Sequence, residues 1–271
     1  MSTLRVETAG VLTTVQDRGR LGLAHLGVPR AGALDRPAAD LANRLLGNAE
    51  DAALLEVTMG GFTARPTSGS WVAVTGAGIV HPTARWFEPG QLLEVPVPAR
   101  GVRNYVAVGG GVLVDPVLGS RSTDTLAWVG PPQVADGSDL EIAGSAQPLP
   151  MDVPRLPRPG PLRMHAGPHA DFFDDDALAA LCSATYAVRP ASNRVGLRLD
   201  GPAVVRRDPR ELPSEGMVLG AVQVPPDGQP VVLLADHPPT GGYPVVGIVH
   251  PDDLWQCAQL RPGEHVTFRA A

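Results

Sequence analysis

The sequence predicts a mainly β protein with a few short helices, arranged as two barrels or sandwiches. Gly (31) and Pro (29) together exceed a fifth of the 271 residues and follow no repeat, which favours short strands and tight turns. Short β-branched or aromatic runs, each bounded by Gly, Pro or Asp, recur along the chain. The predicted strands are Leu4–Val6, Trp71–Val74, Leu92–Val95, Tyr105–Val108, Val204–Arg206, Val231–Leu234 and Val266–Phe268.

Three helices interrupt this pattern. Asp35 can cap the first, in which apolar residues recur at helical spacing from Ala38 to Leu45. The second opens with three consecutive aspartates, whose charge suits the first turn of a helix, and the third has a proline in its first turn. These two helices are predicted to run from Asp174 to about Cys182 and from Pro251 to Leu260.

A proline-rich stretch at 145–161 is the best candidate for a linker, because it carries six prolines and little periodicity. It divides the chain into an N-terminal domain at 1–145 and a C-terminal domain at 162–271, and both are of ordinary domain size. With mostly β content, each part is large enough to form one barrel or sandwich.

Charge and composition exclude several classes of function. The net charge is −6 and the basic residues are dispersed, so a nucleic-acid partner is not expected. No apolar run approaches the roughly 18 residues of a membrane span, and the N-terminus shows no export signal. We therefore expect a cytoplasmic protein without a membrane partner. The two cysteines fall in apolar helical stretches and are expected to be small core residues.

All 22 basic residues are arginine, and this restricts the chemistry. A chain without lysine cannot form a Schiff base, carry biotin or supply a P-loop lysine. If the system uses ATP or biotin, an arginine or another polypeptide must provide those functions.

Two familiar signals are weak. The run from Val72 to Gly78 resembles the start of a dinucleotide fold but lacks the third glycine, so a strand and turn are expected. His165 and His169 have a helical metal-ligand spacing, but Gly167 and Pro168 between them disfavour a helix. No metal site is predicted.

Polar clusters in turn-like settings are the candidate site in the N-terminal part. Gln16, Asp17 and Arg20 lie in a glycine-bounded run, and such loops bind an anion or form a solvated turn with an internal salt bridge. A second run offers three hydroxyls around one arginine, which suits an oxyanion or phosphate, or forms an ordinary turn. Its members are Ser120, Arg121, Ser122 and Thr123. Asn43 and Glu56 are either structural pins or site groups, since burial requires both to be paired.

The C-terminal part contributes three further clusters of similar character. They precede or follow predicted strands, where ligand-binding groups tend to collect. The candidate substrate-binding residues are Ser192, Asn193, Arg194, Glu215, Gln223, Asp236 and Tyr243.

Taken in order, these clusters resemble one family. The runs TVQDRGR, GVPRAGALD, GSRST, SNR, SEG, GAVQVPPDGQP and TGGYP match the pattern of biotin-dependent carboxyltransferase-like proteins, also called allophanate hydrolase subunit 2 or KipA-like proteins. The family includes the C-type subunit of 5-oxoprolinase, and the resemblance extends from Leu12 to Phe268. It implies two cyclophilin-like β-barrel domains with a few short helices.

The resemblance also implies partners and chemistry. It implies a KipI-like (B-type) subunit and a LamB/YcsF-like (A-type) subunit, which together with this chain open the lactam of 5-oxoproline to L-glutamate using ATP. ATP is then bound by, or shared with, one of these partners. One alternative is the carboxyltransferase component of a biotin-dependent urea carboxylase, with biotin on another protein. Another is a non-catalytic KipA-like regulator that binds a KipI-like kinase inhibitor.

Two stretches depart from the family pattern. His237-Pro238-Pro239 stands where members usually carry a Gln-Thr pair, and a glycine-arginine turn expected near 130–136 is replaced by GPPQVAD. Two polar contacts of the site are therefore expected to be missing or replaced.

The clusters suggest a distribution of roles in amide chemistry. Arg20 and Arg121 are predicted to clamp an oxyanion or phosphate. Asp17 and Glu56 are predicted to transfer protons or to orient those arginines. A pocket that holds the polar edge of a small amide is expected to include four further residues, Asn193, Arg194, Gln223 and Tyr243.

Overall fold

The computed structural model describes residues 2–144, 148, 158–208, 210 and 212–271. The described residues form two compact units. The first lies within Met1–Arg20, Ala31–Asp124 and Trp128–Leu156, and the second within Leu21–Arg30, Thr125–Ala127 and Pro157–Ala271. The predicted linker at 145–161 lies mostly outside the described residues, and the domain bounds 1–145 and 162–271 stay predictions.

The first unit consists of two antiparallel sheets. One sheet has the strand order β7-β4-β1-β9 and the other β2-β3-β8-β5-β6. The strands are β1 (Ser2–Thr8), β2 (Leu12–Gln16), β3 (Leu54–Thr58), β4 (Phe62–Pro66), β5 (Ser70–Gly76), β6 (Ala84–Phe87), β7 (Leu93–Val95), β8 (Arg103–Val108) and β9 (Asp139–Ile142).

The main core of this unit lies between the two sheets. Leu4 and Phe62 of one sheet and Leu55 and Val106 of the other are fully buried in one cluster. Strand β8 is buried on both faces, because its alternate residues face this core and the helix on the opposite side.

Helix α1 (Arg36–Leu45) covers the outer face of the second sheet. Its apolar stripe packs on Tyr105 and Ala107 of β8 and on Ala73 of β5. Asp35 Oδ1 accepts a hydrogen bond from the main-chain N of Ala38 at 3.0 Å, which is the predicted cap.

The second unit contains a closed barrel with the strand order β10-β17-β14-β15-β12-β11-β18. A parallel pair, β10 with β18, closes it, and a separate two-stranded ribbon joins β13 to β16. The strands are β10 (Leu162–Ala166), β11 (Thr185–Val188), β12 (Gly196–Asp200), β13 (Glu215–Gly216), β14 (Ala221–Gln223), β15 (Val231–Leu233), β16 (Thr240–Gly241), β17 (Val245–Val249) and β18 (His265–Ala270), and the helices are α2 (Ala177–Ser183) and α3 (Leu254–Cys257). Single 3₁₀ turns occupy Ala24–Leu26, Ala170–Phe172 and Pro251–Asp253.

The predicted fold class, mainly β with short helices and barrel architecture, is confirmed. The predicted strand Val204–Arg206 is wrong: only Arg206 forms a bridge, to Phe173, and Val205 is 62% exposed. The three aspartates precede α2 without a side-chain cap, and the third helix begins as a 3₁₀ turn and ends at Cys257. Among the described residues, no helix has both the length and the apolar character needed to cross a bilayer.

Candidate functional site

Asp17 organises a turn that is distant in sequence. Its Oδ1 accepts hydrogen bonds from the hydroxyls of Ser120 and Ser122, both at 2.6 Å, and from the N–H of Gly19 at 2.8 Å. Its Oδ2 accepts from the N–H of Arg121 at 2.6 Å. Both hydroxyl protons are thus directed to Asp17, so these serines build the turn around Arg121.

The same contacts keep Asp17 ionised. Burial by itself raises the pKa of this carboxyl group, but the hydrogen bonds from Ser120, Ser122, Arg121 and Gly19 outweigh burial and hold the pKa below its usual value. A carboxylate with both oxygens engaged and a lowered pKa is suited to orienting a neighbour more than to transferring protons.

Arg20 lies under the same turn and is 3% exposed. Its Nε donates to the carbonyl of Val117 at 3.0 Å and its Nη2 to the carbonyl of Ser122 at 2.5 Å. Gly130 is required here: its φ is +108°, and a Cβ would lie 2.2 Å from Ser122 O and 2.6 Å from Arg20 Nη2.

Arg121 lines a cleft of about 600 Å³ in the first unit. Its Nε donates to the carbonyl of Val114 at 3.1 Å, while its two terminal nitrogens make no hydrogen bond to any described residue. The other cleft residues are Leu113, Val114, Asp115, Pro116, Val117, Gly130, Pro131, Pro132 and Glu141. The guanidinium therefore lines a cleft of mixed polarity, which also includes Asp115 and Glu141, with its fork of donors available.

Gln16 and Thr123 fix this region to strand β2. Gln16 Nε2 donates to Thr14 Oγ1 and to the carbonyl of Thr123, both at 2.9 Å. Thr123 N donates to Val15 O, and its hydroxyl donates to Pro131 O at 2.9 Å. The contacts of both residues stay within the protein, so they support the Arg121 turn.

Glu56 lies in a separate buried network beneath the start of α1. Its Oε2 accepts from the N–H of Leu34 at 3.0 Å and from the Tyr105 hydroxyl at 2.9 Å, and its Oε1 lies 3.3 Å from Arg103 Nε. The Tyr105 hydroxyl also accepts from the N–H of Asp35 at 2.7 Å. Burial, and then the Glu56 charge, raise the pKa of Tyr105 well above its ordinary value.

Asn43 belongs to a clasp at the end of α1. Its Nδ2 donates to Ala52 O at 2.9 Å, and its Oδ1 accepts from Asn48 Nδ2 at 3.1 Å. Asn48 in turn donates to Val108 O and accepts from Gly110 N, each at 2.8 Å. Of the two interpretations of Asn43, this arrangement favours the structural pin.

In the second unit, Arg194 and Asp236 form a buried bidentate ion pair. The guanidinium Nε and Nη2 lie 2.8 and 2.9 Å from the two carboxylate oxygens, and the residues are 1% and 0% exposed. Thr125 adds its N–H at 2.9 Å and its hydroxyl at 2.7 Å to the same carboxylate. Such a pair fixes the loop positions around it.

Ser192 and Asn193 stabilise the turn before strand β12. Asn193 Oδ1 accepts from the N–H of Val195 at 2.8 Å, and Ser192 Oγ accepts from the N–H of Arg198 at 3.0 Å. Asn193 is exposed, whereas Arg194 between these turn residues is buried.

Glu215 on β13 pairs with His169. His169 is one of the two histidines whose spacing in the sequence resembles that of metal ligands. His169 Nδ1 accepts from the N–H of Val245 at 3.1 Å, so its proton resides on Nε2, which lies 3.2 Å from Glu215 Oε2. Glu215 retains an exposed face, with 46% of its side chain accessible.

Gln223 and Tyr243 lie beside this pair in the second unit. Gln223 Nε2 donates to the main-chain carbonyl of Tyr243 at 3.3 Å and to Met217 Sδ at 3.2 Å. The Tyr243 side chain is 47% exposed.

His237, in the stretch that departs from the family pattern, is also buried. Its Nδ1 lies 2.8 Å from the carbonyl of Pro238. Burial lowers the pKa of His237, and the charge of Arg30 lowers it further. The hydrogen bond to Pro238 acts in the opposite direction but does not outweigh burial.

The structure thus brings the predicted residues into groups within each unit. Asp17, Arg20, Ser120, Arg121 and Ser122 form one cluster, while Glu56 and Asn43 belong to separate networks around α1. Sequence reasoning missed the supporting residues Gly130, Tyr105, Arg103, Thr125 and His169. The signal for Gly130 is its place before Pro131-Pro132, which marks a sharp turn.

The sequence matches one described family over nearly its whole length. Residues 26–270 match the family of the "Carboxyltransferase domain, subdomain A and B". The chain is 37% identical over 279 residues to the C-type subunit of 5-oxoprolinase from Escherichia coli (strain K12), covering 98% of this chain and 90% of the relative. It is 33% identical to the protein of the same name from Haemophilus influenzae, covering 95% of this chain and 87% of the relative. The "Urea amidolyase" of Lachancea kluyveri is 30% identical over 97% of this chain and 16% of its own length.

Two solved structures agree in fold. A crystal structure of TTHA0988 superposes with a TM-score of 0.87 at 37% identity, covering 99% of this chain and 55% of that chain. The K. lactis urea amidolyase gives a TM-score of 0.89 at 27% identity, covering 98% of this chain and 18% of that one. The chain therefore spans about half of TTHA0988 and under a fifth of the amidolyase.

Proposed function

The chain belongs to the family of the carboxyltransferase domain, subdomains A and B, and on that premise we propose that it is the C-type subunit of an ATP-dependent 5-oxoprolinase. In this proposal it acts with partner subunits to hydrolyse the lactam of 5-oxoproline to L-glutamate. Two relatives that carry the name of this component of 5-oxoprolinase support the proposal. Their alignments cover most of this chain and most of each relative.

At the level of residues, the proposal rests on the available hydrogen-bond donors of Arg121. Its terminal nitrogens face a cleft of about 600 Å³ without a hydrogen bond to any described residue. A planar guanidinium recognises a carboxylate or an oxyanion through two parallel N–H donors. The small substrate 5-oxoproline offers one carboxylate and one amide carbonyl.

The chemistry needs stabilisation of negative charge. Opening an amide places charge on the carbonyl oxygen, and loss of one preorganised donor typically costs about 2.7–4 kcal/mol of transition-state stabilisation. In the proposal Arg121 supplies that donor or binds the substrate carboxylate. Asp17 and Arg20 position Arg121, because their hydrogen bonds hold the turn that carries it.

ATP and the partner proteins are part of the same proposal. The chain has no lysine for a P-loop, so ATP is assigned to a partner or to a site shared with it. The proposed partners are the KipI-like (B-type) and LamB/YcsF-like (A-type) proteins, in the cytoplasm. Within the second unit, the side chains of Glu215 and Tyr243 keep exposed faces, and both residues stay predicted small-molecule contacts of that unit.

The test is reconstitution with the partner proteins. Glutamate release from 5-oxoproline with ATP is measured for the wild type, for Arg121→Ala and for the control Arg5→Ala, whose side chain is 67% exposed. Arg121→Ala is expected to lower turnover roughly 100- to 1,000-fold at an unchanged melting temperature, and Arg5→Ala to leave turnover unchanged. Absence of release from the complete wild-type complex refutes the proposed function, and full activity of Arg121→Ala refutes the role of the residue.

A second candidate is carboxyl transfer from carboxybiotin on another protein. It is favoured by the family description and by the likeness to urea amidolyase. Transfer of labelled carboxyl from a carboxybiotinyl protein to urea, with no release of glutamate, would select this candidate.

A further inference from the structure

Two carboxylates, those of Asp115 and Glu141, share the cleft of about 600 Å³ with Arg121. Leu113 lies opposite Glu141 of β9, because its N–H donates to the Glu141 carbonyl at 2.8 Å. Arg121 is attached to the same segment by the hydrogen bond from its Nε to the carbonyl of Val114, one residue before Asp115. The three charged side chains are therefore anchored around one short stretch of chain within the first unit.

Neither carboxylate is neutralised within the part of the chain that the structure describes. Asp115 and Glu141 are exposed, and the side chain of neither makes a hydrogen bond or an ion pair with a described residue. Arg121 donates only from Nε, so both of its terminal nitrogens also lack a described partner. The cleft thus presents one positive group and two negative groups whose charges are available to a ligand.

This pattern of charges favours a ligand that carries both signs. A molecule with negative charge alone is attracted by the guanidinium but repelled by the two carboxylates. A molecule with an ammonium group beside a carboxylate suits all three side chains. Its carboxylate accepts from the forked donors of Arg121, and its ammonium group has three N–H donors for Asp115 and Glu141. An α-amino acid in its zwitterionic form has this arrangement.

The rest of the cleft suits the carbon part of such a molecule. Six further lining residues are apolar, namely Leu113, Val114, Pro116, Val117, Pro131 and Pro132. Leu113 is 49% exposed and Val117 is 39% exposed, so their apolar surface is accessible to a ligand. The volume also falls within the roughly 300–1,000 Å³ that is usual for sites of small molecules.

Opening a lactam creates an ammonium group of this kind. When water opens the ring of 5-oxoproline, the bond between the carbonyl carbon and the nitrogen breaks, and the water oxygen completes a new carboxylate. Both protons of the water end on the nitrogen, which is neutral in the lactam and becomes a primary ammonium beside the original carboxylate. Fixed negative groups near that nitrogen stabilise the positive charge as it develops.

We propose that the cleft binds an α-amino acid as its zwitterion, with the carboxylate on Arg121 and the ammonium group on Asp115 and Glu141. The identity of that amino acid rests on the proposed function, from which it is L-glutamate, the product of lactam opening. Asp115 and Glu141 then hold the released amine and make the cleft prefer the opened product to the closed ring.

The test compares two ligands that differ in one group. L-Glutamate carries an α-ammonium group, and glutarate is the same dicarboxylate without it. Binding to the full chain is measured for each ligand by NMR titration at neutral pH and low ionic strength. The wild type is expected to bind L-glutamate about fivefold more tightly than glutarate, which corresponds to one well-formed ion pair that is accessible to solvent.

Three variants assign the preference to residues. Asp115→Asn combined with Glu141→Gln removes both negative charges, so L-glutamate should bind more weakly, glutarate more tightly, and the two affinities should become equal. Arg121→Ala should weaken the binding of both ligands. The control Asp139→Asn removes one negative charge from the strand that carries Glu141, at a side chain that is 53% exposed and outside the cleft, and should keep the fivefold preference.

Equal affinity of the wild type for the two ligands, no binding of L-glutamate, or a preference that persists in the double variant each overturns the proposal. If the double variant does not fold, the single variants Asp115→Asn and Glu141→Gln replace it, and each should reduce the preference. These titrations use the chain without its partners and without ATP. A complete complex that releases no glutamate therefore refutes the proposed function without altering the affinities that test the charged cleft.

Discussion

Replacing Asp17 by asparagine tests the claim that one carboxylate holds the turn that carries Arg121. In the wild type, Oδ1 accepts three hydrogen bonds and Oδ2 accepts one, from Arg121 N. An asparagine that keeps its oxygen at Oδ1 must turn its NH₂ toward the Arg121 N–H. One acceptor is then lost and two donors face each other.

The magnitude follows from the kind of bond that is lost. A hydrogen bond to a charged group contributes about 1.5–3 kcal/mol, and the three bonds at Oδ1 become weaker once the acceptor is neutral. We expect Asp17→Asn to lower the free energy of unfolding of the first unit by about 3 kcal/mol at neutral pH.

The effect should depend on pH in a defined direction. The pKa of Asp17 in the folded protein is lowered below its ordinary value of 3.8, so its contribution is complete above that value. The contribution is lost as the pH falls through the folded-state pKa. The difference between wild type and Asp17→Asn should therefore be largest near neutral pH and shrink below about pH 4.

Urea denaturation followed by circular dichroism at about pH 7 and about pH 3 measures both quantities. The control is Asp139→Asn, a carboxylate that is 53% exposed and 4.0 Å from Arg5, which should change stability by less than about 0.5 kcal/mol. A difference of similar size at both pH values, or a loss no larger than that of the control, would refute the reasoning.

Three further substitutions test other contacts that are expected to stabilise the two units. Asp236→Asn removes the carboxylate charge that pairs with the buried guanidinium of Arg194 and should cost about 3–5 kcal/mol in urea unfolding. Gly130→Ala places a Cβ 2.2 Å from Ser122 O at a φ of +108°, so we expect a loss of at least about 2 kcal/mol and, in the reconstituted assay, lower turnover. Asn48→Ala removes three hydrogen bonds from the clasp after α1 and should cost about 2 kcal/mol, seen as faster amide exchange at the end of that helix. Wild-type stability in any of the three would contradict the role given to that residue.

Local sequence patterns predicted those helices and strands that are determined by neighbouring residues. The spacing of apolar residues and the Asp35 cap predicted α1 over its observed length. Strand β3 was missed because Glu56 interrupts its apolar pattern. Glu56 is tolerated inside the sheet because the Leu34 N–H, Tyr105 and Arg103, all distant along the chain, meet it there.

The candidate site could likewise be predicted only as far as it depends on residues that are close in sequence. The polar turns were recognisable as clusters, and Arg121 was predicted as a donor for an anion. The serine hydroxyls that donate to Asp17 lie more than 100 residues away along the chain, so the sequence alone could not show that Ser120 and Ser122 point at it. The fold decides that Asp17 orients the turn of Arg121 and that the terminal nitrogens of Arg121 stay available for an anion, because both results depend on contacts between residues that are distant in sequence.

The second unit incorporates two short pieces, Leu21–Arg30 and Thr125–Ala127, that are translated long before the rest of it. At ~5–20 residues per second, the first piece leaves the ribosome on the order of ten seconds before the main body of that unit begins to emerge. A truncated chain that starts after the proline-rich stretch would therefore lack both pieces. Supplying them in trans as a synthetic peptide, or splitting the gene at that point, would measure how far the later barrel depends on its early-made parts.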